Sequence, residues 1–577
     1  MIPIPSMSRF ERGFCAAVIA ALIVCGCAVR LAPLSSEERT IAAVSEDGYL
    51  MLTVARNLAL GRSLTIAEGT IPTNGVQPLV TFVWAGVHAL TGGERLDALR
   101  AVVLIEFAIA VLTAVFVGLL SREAFATSPS RHRGAWVAAC LWFASPLAVK
   151  HTTNGLETGF YVCAIAGFLL LDSRWPHRSA ARAAAFGAAL GVLFLLRNDA
   201  VFFIAVYLLA ELSGWRMPES ARLGSFGRRF AHAAVAALAS IAVASPWLLY
   251  NARVFGHVIP VSGRAQNLHL NTGENLIEVP RVLAEYAWFA SPLPAWLGQS
   301  VPAAWFITLA TAGLVALTVW RGRGIGLKIP RWIAVVLFTT AILTAYYGLF
   351  FGAAYFLSRY LFLLSLVAVL LPCVWIFSGR SGPVNGPALT AAGVLVAAGV
   401  TALMLSSAWR FFVRGASHDH GHVVQWVTDH VPPEVWVGAP QSGTLGYFHD
   451  RTINLDGKVN PYALQARRDN RLFRYIVDET RIEYIADWYG LARWVDRPET
   501  IHEERDVQML SRHFDVLVRA PERNLMVLRR RSDAFTAWRS SSPEITVLTP
   551  PGETGYSCCA SQALWGGCLE VSRSRDL

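Results

Sequence analysis

Glu46 and Asp47 stand side by side in SEDGYLMLTVARNLALG, a short way past the first long apolar segment of the chain. A carboxylate held ionised at a membrane face can take a proton from a hydroxyl, which is the work of a general base. A structural role accounts for the same pair, because Ser45 is a natural helix N-cap and acids in a first helical turn gain about 0.3–1 kcal/mol from the macrodipole. Glu157, in TTNGLETGFY, adjoins an apolar run, where an acid is costly unless it is paired or faces a polar cavity. Capping or solvation is its plainer role. His151 and Lys150 nearby can pair with it or meet a phosphate. Arg197 and Asp199 occupy the narrow gap LLRNDA, where they can simply pair with each other. Arg359, in YFLSRYLFLL, opens a long apolar run beside Tyr355 and Tyr360. Its guanidinium can hold a phosphate through two parallel hydrogen bonds, and the alternative is snorkelling to the interface.

Residues of this kind need a rigid scaffold, and composition says which. The 577-residue chain is 54% hydrophobic and only 16% charged, with a mean hydropathy of +0.43, too apolar for a soluble protein of this size. Long apolar runs recur up to about residue 407, several near the roughly 20 residues that cross a bilayer as helix. Hydropathy places transmembrane helices near 14 to 34, 99 to 120, 134 to 150, 156 to 172, 180 to 196, 199 to 213, 230 to 250, 303 to 320, 332 to 352, 355 to 377 and 387 to 407, about eleven in all. The first of them reads as an uncleaved helix rather than a signal peptide, since so many spans follow.

The net charge of +10 does not point to nucleic acid. Many of the arginines sit in the connectors SREAFATSPSRHRG, DSRWPHRSAARA, GWRMPESARLGSFGRR and RGRGIGLKIPR, which the positive-inside rule puts in the cytoplasm. The remaining connectors then face outward: the first loop 35–98, KHTTNGLETG, RND, the long loop 251–302 and GAAYFLSRY. They hold most of the unusual polar residues near the membrane, as an active site at one face requires. In the first loop, Leu50, Val54 and Leu58 recur every four residues, with Thr53, Arg56 and Asn57 opposite. That pattern predicts a short helix lying in the interface and ended by Gly61. The run PLVTFVWAGVHAL, 78–90, is short for a span and reads as interfacial or re-entrant.

Residues 1–407 thus form a membrane domain. From 408 charges come every few residues, and helix-like HVVQWVTDHV and ALQARRDNRLFRYIVDETR alternate with strand-like VWVGAP, RTINLDG, EYIADW and FDVLVRA. This predicts a soluble α/β domain over 408–535, with a poorly structured tail over 536–577. The turn SGTLGYF lacks the Lys and Ser/Thr spacing of a phosphate loop and reads as strand-to-loop packing. Six of the nine cysteines lie in apolar runs as small hydrophobes. The tail holds Cys558, Cys559 and Cys568, among which a Cys559–Cys568 disulfide is an open alternative.

The blocks EDGYLMLTVARNLALG, PTNGVQPLVTF, NGLETGFY, LLRNDA, YNARVFGHVIPVSG, SRYLFLLSLVAVLL and GTLGYFHDRTINLDGKVNP resemble, in the same order, those of bacterial GT-C glycosyltransferases. The chain is most similar to protein O-mannosyltransferase-like and mycobacterial arabinofuranosyltransferase-like members, over roughly residues 40–465. The order of the blocks, not any single one, carries the resemblance. It implies a polytopic α-helical enzyme of the bacterial cytoplasmic membrane with its C-terminal domain outside. Such an enzyme moves a sugar from a polyprenyl-phosphate-linked donor to a hydroxyl of a cell-envelope glycan, lipid or protein.

By the same resemblance the acidic pair of the first outer loop supplies the base. That pair is Glu46 and Asp47 here, where relatives usually have two Asp. Glu157 matches the acid that orients acceptor or donor sugar, and Arg359 the basic residue that meets the lipid phosphate, with Tyr360, His151 and Lys150 beside it. Asn74, Gln77, Asn154, Arg197 and Asp199 are the expected contacts to acceptor or sugar. Where the family often carries a Lys, HVIPVSGRAQN offers Arg264 or Gln266. The sequence requires no cofactor, and a divalent ion at the carboxylates stays open. The logic is that of an inverting displacement, which needs a base on the nucleophile and positive charge on the departing phosphate, both held in line by rigid helix ends.

The rival reading is a polytopic transporter or flippase of a lipid-linked sugar, with Glu46, Asp47 and Glu157 as proton or substrate sites. Transporters usually show two related halves and ionisable groups in mid-span, whereas this chain shows no obvious repeat and gathers its charges at one face. A binding module on a membrane anchor would not need so many spans.

Overall fold

A computed structural model of the chain describes residues 9–128, 131–175, 179–215, 225–268, 270–288, 293, 297, 300–352, 354–378, 398–399, 401–404, 406, 418–494 and 507–531. Helix α1 (Arg9–Leu31) and the short α2 (Glu37–Ala43) lead into α3 (Glu46–Ala59). A ribbon of β1 (Thr65–Ile66) and β2 (Ile71–Pro72) precedes α4 (Pro78–Leu90) and α5 (Arg95–Ala124). The bundle continues through α6 (Arg131–Ala144), α7 (Pro146–Thr152), α8 (Thr158–Arg174), α9 (Ala180–Leu196), α10 (Ala200–Ser213) and α11 (Phe226–Phe255). After the outer pieces α12 (Val261–Gln266) and α13 (Val279–Trp288) come α14 (Val301–Gly324) and α15 (Arg331–Leu349). After α15 the chain is broken into α16 (Leu357–Tyr360), α17 (Ser365–Ala368) and α18 (Leu370–Ser378).

Among the described residues six helical segments are long and apolar enough to cross a membrane, fewer than the eleven expected from hydropathy. The expected span 134–150 divides at Ser145, because Pro146 has no N–H to continue the ladder and starts α7 afresh. Helices α9 and α10, of 17 and 14 residues, fall short of a full crossing. Most of the expected span 387–407 lies outside the described residues, as do the tail and its three cysteines. Cys25, Cys27, Cys140, Cys163 and Cys373 are free thiols.

The helix expected to lie in the interface, α3, is covered by protein rather than exposing its apolar face. Its residues from Gly48 to Ala55, and Asn57, are buried, because α4 packs on one side and the C-terminal domain on the other. Its polar positions face protein rather than water: Arg56 pairs with Asp450, and Asn57 donates to the Thr65 carbonyl.

The C-terminal domain is built from α19 (Gly421–His430), β3 (Val437–Ala439), α20 (Gly443–Phe448), β4 (Thr452–Asn454), α21 (Pro461–Arg468), β5 (Tyr484–Asp487), α22 (Val507–His513), β6 (Phe514–Ala520) and β7 (Leu525–Arg530). Its five strands run in the order β4-β3-β5-β7-β6. The first three are parallel, α20 making the crossover from β3 to β4, and β7 joins β5 and β6 antiparallel. One hydrophobic core runs from the membrane helices into this domain, joining Tyr49, Val80 and Trp84 with Tyr447, Leu455, Val459 and Ile485. A second cluster, including Val423, Val427, Val437, Leu445 and Val527, lies within the domain.

Candidate active site

The site is assembled where α3 begins. The Ser45 hydroxyl accepts from the Gly48 N–H at 3.2 Å, so Ser45 caps the helix as its sequence predicts. Its own N–H donates to the Asn154 carbonyl at 3.0 Å, which docks the second outer loop onto the cap. Consecutive residues of a helix point about 100° apart, so the two acids leave the helix toward different partners.

Asp47 accepts from Arg359 Nη1 at 3.0 Å and lies 3.6 Å from Lys458 Nζ. Its side chain is 21% exposed, enough for a substrate hydroxyl to reach. Burial pushes its carboxyl up, but Lys458 and Arg359 outweigh that and hold it below the usual aspartate value. Lys458, which burial would discharge, is kept charged by Asp47 and Asp456.

A tight turn aims Lys458. The Asn454 side chain accepts from the Gly457 N–H at 3.0 Å, Gly457 takes a φ of +85°, and the Asp456 side chain accepts from the Lys458 N–H at 2.8 Å. The first outer loop presses on the same point. A side chain at Gly75 would put its Cβ 2.1 Å from the Lys458 carbonyl.

Arg359 sits on α16, its guanidinium carbon 4.5 Å from the centre of the Phe356 ring. Among the described residues its Nε is buried with no acceptor, a donor left for an anion. Tyr360 stacks on Tyr347 at 4.1 Å, and Arg197 lies over Tyr360 at 4.7 Å. Arg197 pairs with Asp199 at 3.0 Å, approaches Glu157 at 3.8 Å and donates to the Arg359 carbonyl at 3.4 Å. Tyr347 completes this ladder with a 2.8 Å bond to Asp199. Glu157, Arg197, Asp199, Arg359, Tyr360 and Asp47 are therefore brought together.

The other expected residues stand further back. His151 meets the Ser358 hydroxyl at 3.1 Å, one residue before Arg359, and Ser358 donates to Glu285 at 3.2 Å. Lys150 lies in the field of Glu285 and Arg281. Asn154 spends its side chain on the Lys150 carbonyl and the Leu156 N–H, shaping its own loop. Gln77 accepts from the Asn198 N–H at 3.3 Å. Asn74 is wholly buried between Asn251 and the Val261 N–H.

Glu46 turns the opposite way, into the C-terminal domain. It accepts from the backbone N–H groups of Gly443 and Thr444, from the Thr444 hydroxyl, and from His420 Nδ1 at 3.1 Å. On the far side of the ring His420 Nε2 is 2.8 Å from Asp487. Burial raises the Glu46 carboxyl, but His420 and the other donors bring it down to about 2. Burial likewise lowers His420, but the carboxylates around it raise it to about 10. The reading of SGTLGYF as plain strand-to-loop packing needs correction, because this turn opens α20 and its N–H groups grip a carboxylate. Glycine is required at 443, since a Cβ there would sit 2.0 Å from the Glu46 carbonyl.

Sequence reasoning missed Lys458, Thr444, His420 and Asp487. Lys458 stands in the quoted block NLDGKVNP, but no spacing ties it to Asp47. It also missed Glu106, whose carboxylate accepts from the Gly155 N–H at 2.8 Å, and Arg30, which donates to the Thr152 and Thr153 hydroxyls. These two hold the second outer loop from within the bundle. Among the described residues no group of three or more His, Cys, Asp or Glu could hold a metal ion.

A family model described as a domain of unknown function (DUF8728) matches residues 410–542, and no curated protein matches the chain. Solved structures are similar along most of it, among them the following three. ArnT from Cupriavidus metallidurans bound to undecaprenyl phosphate is 14% identical, covering 89% of this chain and 98% of its own, with a TM-score of 0.50. The Archaeoglobus fulgidus oligosaccharyltransferase tethered to an acceptor peptide is 11% identical, covering 88% and 73%, with a TM-score of 0.51. The Archaeoglobus fulgidus oligosaccharyltransferase AglB in complex with an inhibitory peptide and a dolichol-phosphate is 13% identical, covering 91% and 75%, at 0.50. The chain is a multi-pass membrane protein with the GT-C fold and a C-terminal domain carrying a small sheet.

Proposed function

We propose that this protein is an inverting membrane glycosyltransferase that moves a sugar from a polyprenyl-phosphate donor to a hydroxyl of an extracytoplasmic acceptor. The acceptor is a cell-envelope glycan, lipid or protein, the membrane is the bacterial cytoplasmic one, and the C-terminal domain lies outside it. The observation that carries this reading is Asp47, a part-exposed carboxylate between two cations, Arg359 at 3.0 Å and Lys458 at 3.6 Å. Support comes from the fold shared with ArnT and AglB, whose structures hold undecaprenyl phosphate and dolichol-phosphate.

Both cations pair with Asp47, and Lys458 also lies 3.7 Å from Asp456. A phosphate entering beside them draws Arg359 and Lys458 to its own oxygens, and the unused Arg359 Nε gains an acceptor. Released from that pairing, Asp47 becomes more basic and takes the proton of the acceptor hydroxyl. The hydroxyl oxygen bonds to the anomeric carbon from the face opposite the phosphate. The bond from that carbon to the phosphate oxygen breaks, its electron pair stays on the lipid phosphate, and Arg359 and Lys458 hold the charge. Glu157, positioned by Arg197, borders the sugar.

The test is mass spectrometry of lipid-linked sugars and envelope glycans with and without the protein, followed by turnover of the accumulating donor by purified enzyme in nanodiscs. Asp47→Asn is expected to lose about 10² to 10⁴ of the rate, the share of a positioned base, with membrane insertion retained. Wild-type turnover by that variant would remove Asp47 from the chemistry.

A further inference from the structure

We infer that the C-terminal domain is the second half of the active site, latched to the membrane domain by Glu46, so that of the two adjacent acids Asp47 does chemistry and Glu46 positions. The inference rests on the reading of Asp47 as base. It adds a role for the domain that spans residues 410–542, to which the matching family model attaches no function.

The latch is a socket in the soluble domain made for one carboxylate. Two backbone N–H groups, one hydroxyl and one ring nitrogen, from Gly443, Thr444 and His420, converge on the two Glu46 oxygens. His420 is fully buried and stacked on Trp488 at 4.7 Å. Each of its nitrogens faces a carboxylate oxygen, Glu46 on one side and Asp487 on the other, so the ring is used as a donor at both ends. Asp487 is fixed in turn by the N–H groups of Gln441 and Trp488, both at 2.7 Å. A solvated carboxylate at a helix start would need none of this.

The consequence for the site is positional. Lys458 belongs to the domain that grips Glu46, and Glu46 is joined to Asp47 by one peptide bond. Holding Glu46 in the socket therefore sets how near Lys458 comes to Asp47. A second anchor, Asp450 between Arg56, Arg62 and Arg95, fixes the far end of α20 to α3 and α5 and stops the domain from pivoting. Glu46 lies in the same helical turn as the proposed base, which makes it the anchor that controls the lysine.

The charges give the latch a distinctive signature. With His420 removed, Glu46 and Asp487 face each other across a buried space with no cation between them, which is worse than losing either acid. Neutralising Glu46 should then relieve the damage rather than add to it, a pattern that simple loss of fold does not produce.

The experiment compares full-length wild type, His420→Gln, Glu46→Gln and the double variant in nanodiscs, with hydrogen exchange of the segment 440–448 and turnover of the lipid-linked sugar as readouts. His420→Gln is expected to speed exchange there about tenfold or more and, as Lys458 withdraws, to lower kcat more than it raises the donor KM. The double variant is expected to recover part of both losses. Exchange in His420→Gln equal to wild type, or a double variant as impaired as the two singles added, overturns the latch. Glu46→Gln inactive with unchanged exchange also overturns it, since Glu46 would then be acting on substrate. Asp47→Asn in the same exchange assay separates the two proposals: normal protection with full turnover sinks the base and leaves the latch standing.

Discussion

Lys458→Met keeps most of the side chain's bulk and removes its charge, which makes it the sharpest probe of the site. Across 3.6 Å at an effective dielectric constant of about 20, the attraction between the ammonium and Asp47 is about 5 kcal/mol before the cost of desolvating both groups. The same ammonium set against the departing phosphate acts in a site closed by α3, α16 and the Asn454–Lys458 turn, where losing one preorganised electrostatic contact costs about 10²- to 10³-fold in kcat. Arg359 keeps its place through Asp47 and the Phe356 ring, so the donor should still bind, with KM raised less than kcat is lowered. The assay is transfer from a polyprenyl-phosphate sugar at varied donor concentration, by protein whose melting temperature matches wild type. A fall of less than about threefold in kcat, with Asp47→Asn inactive, would refute the claim that Lys458 carries leaving-group charge.

Gly443→Ala would force a Cβ to 2.0 Å from the Glu46 carbonyl and 2.9 Å from its carboxylate. Overpacking of that kind costs about 1–3 kcal/mol, so a lowered melting temperature with faster exchange at α20 is expected, and an unchanged melting curve would contradict the close approach. The pH dependence of stability tests Glu46 independently. Its carboxyl is held near 2 against an ordinary 4.5, so the folded state binds fewer protons than the unfolded one. This contribution, on the order of 3 kcal/mol by linkage, is complete above about pH 4.5 and disappears as pH falls toward 2. Melting temperatures of wild type and Glu46→Gln should therefore differ at pH 6 and converge near pH 2, and a constant gap would show that Glu46 is not held ionised by the fold.

Local pattern determined a good deal of this protein. The apolar runs announce a membrane bundle, the change of texture near residue 408 announces an α/β domain, and RTINLDG, EYIADW and FDVLVRA all contain strands of its sheet. The Ser45 cap was equally legible, because capping depends on residues three apart. Spans were overcounted where a local break intervenes, as at Pro146.

Only the tertiary structure decided which partners each acid of the pair meets. Two neighbours in sequence look equivalent, but a helix start sends them along different directions, one toward Arg359 and the other toward His420. Their partners come from segments hundreds of positions away, and no hydropathy period or short spacing records which distant loop a side chain will meet. The same is true of Lys458, set beside Asp47 by the way a sheet domain seats on a membrane helix, and of α3 itself, whose amphipathic pattern fits a lipid surface as well as it fits the protein surface that covers it. Periodicity reports that a face is apolar, and packing alone determines what it packs against.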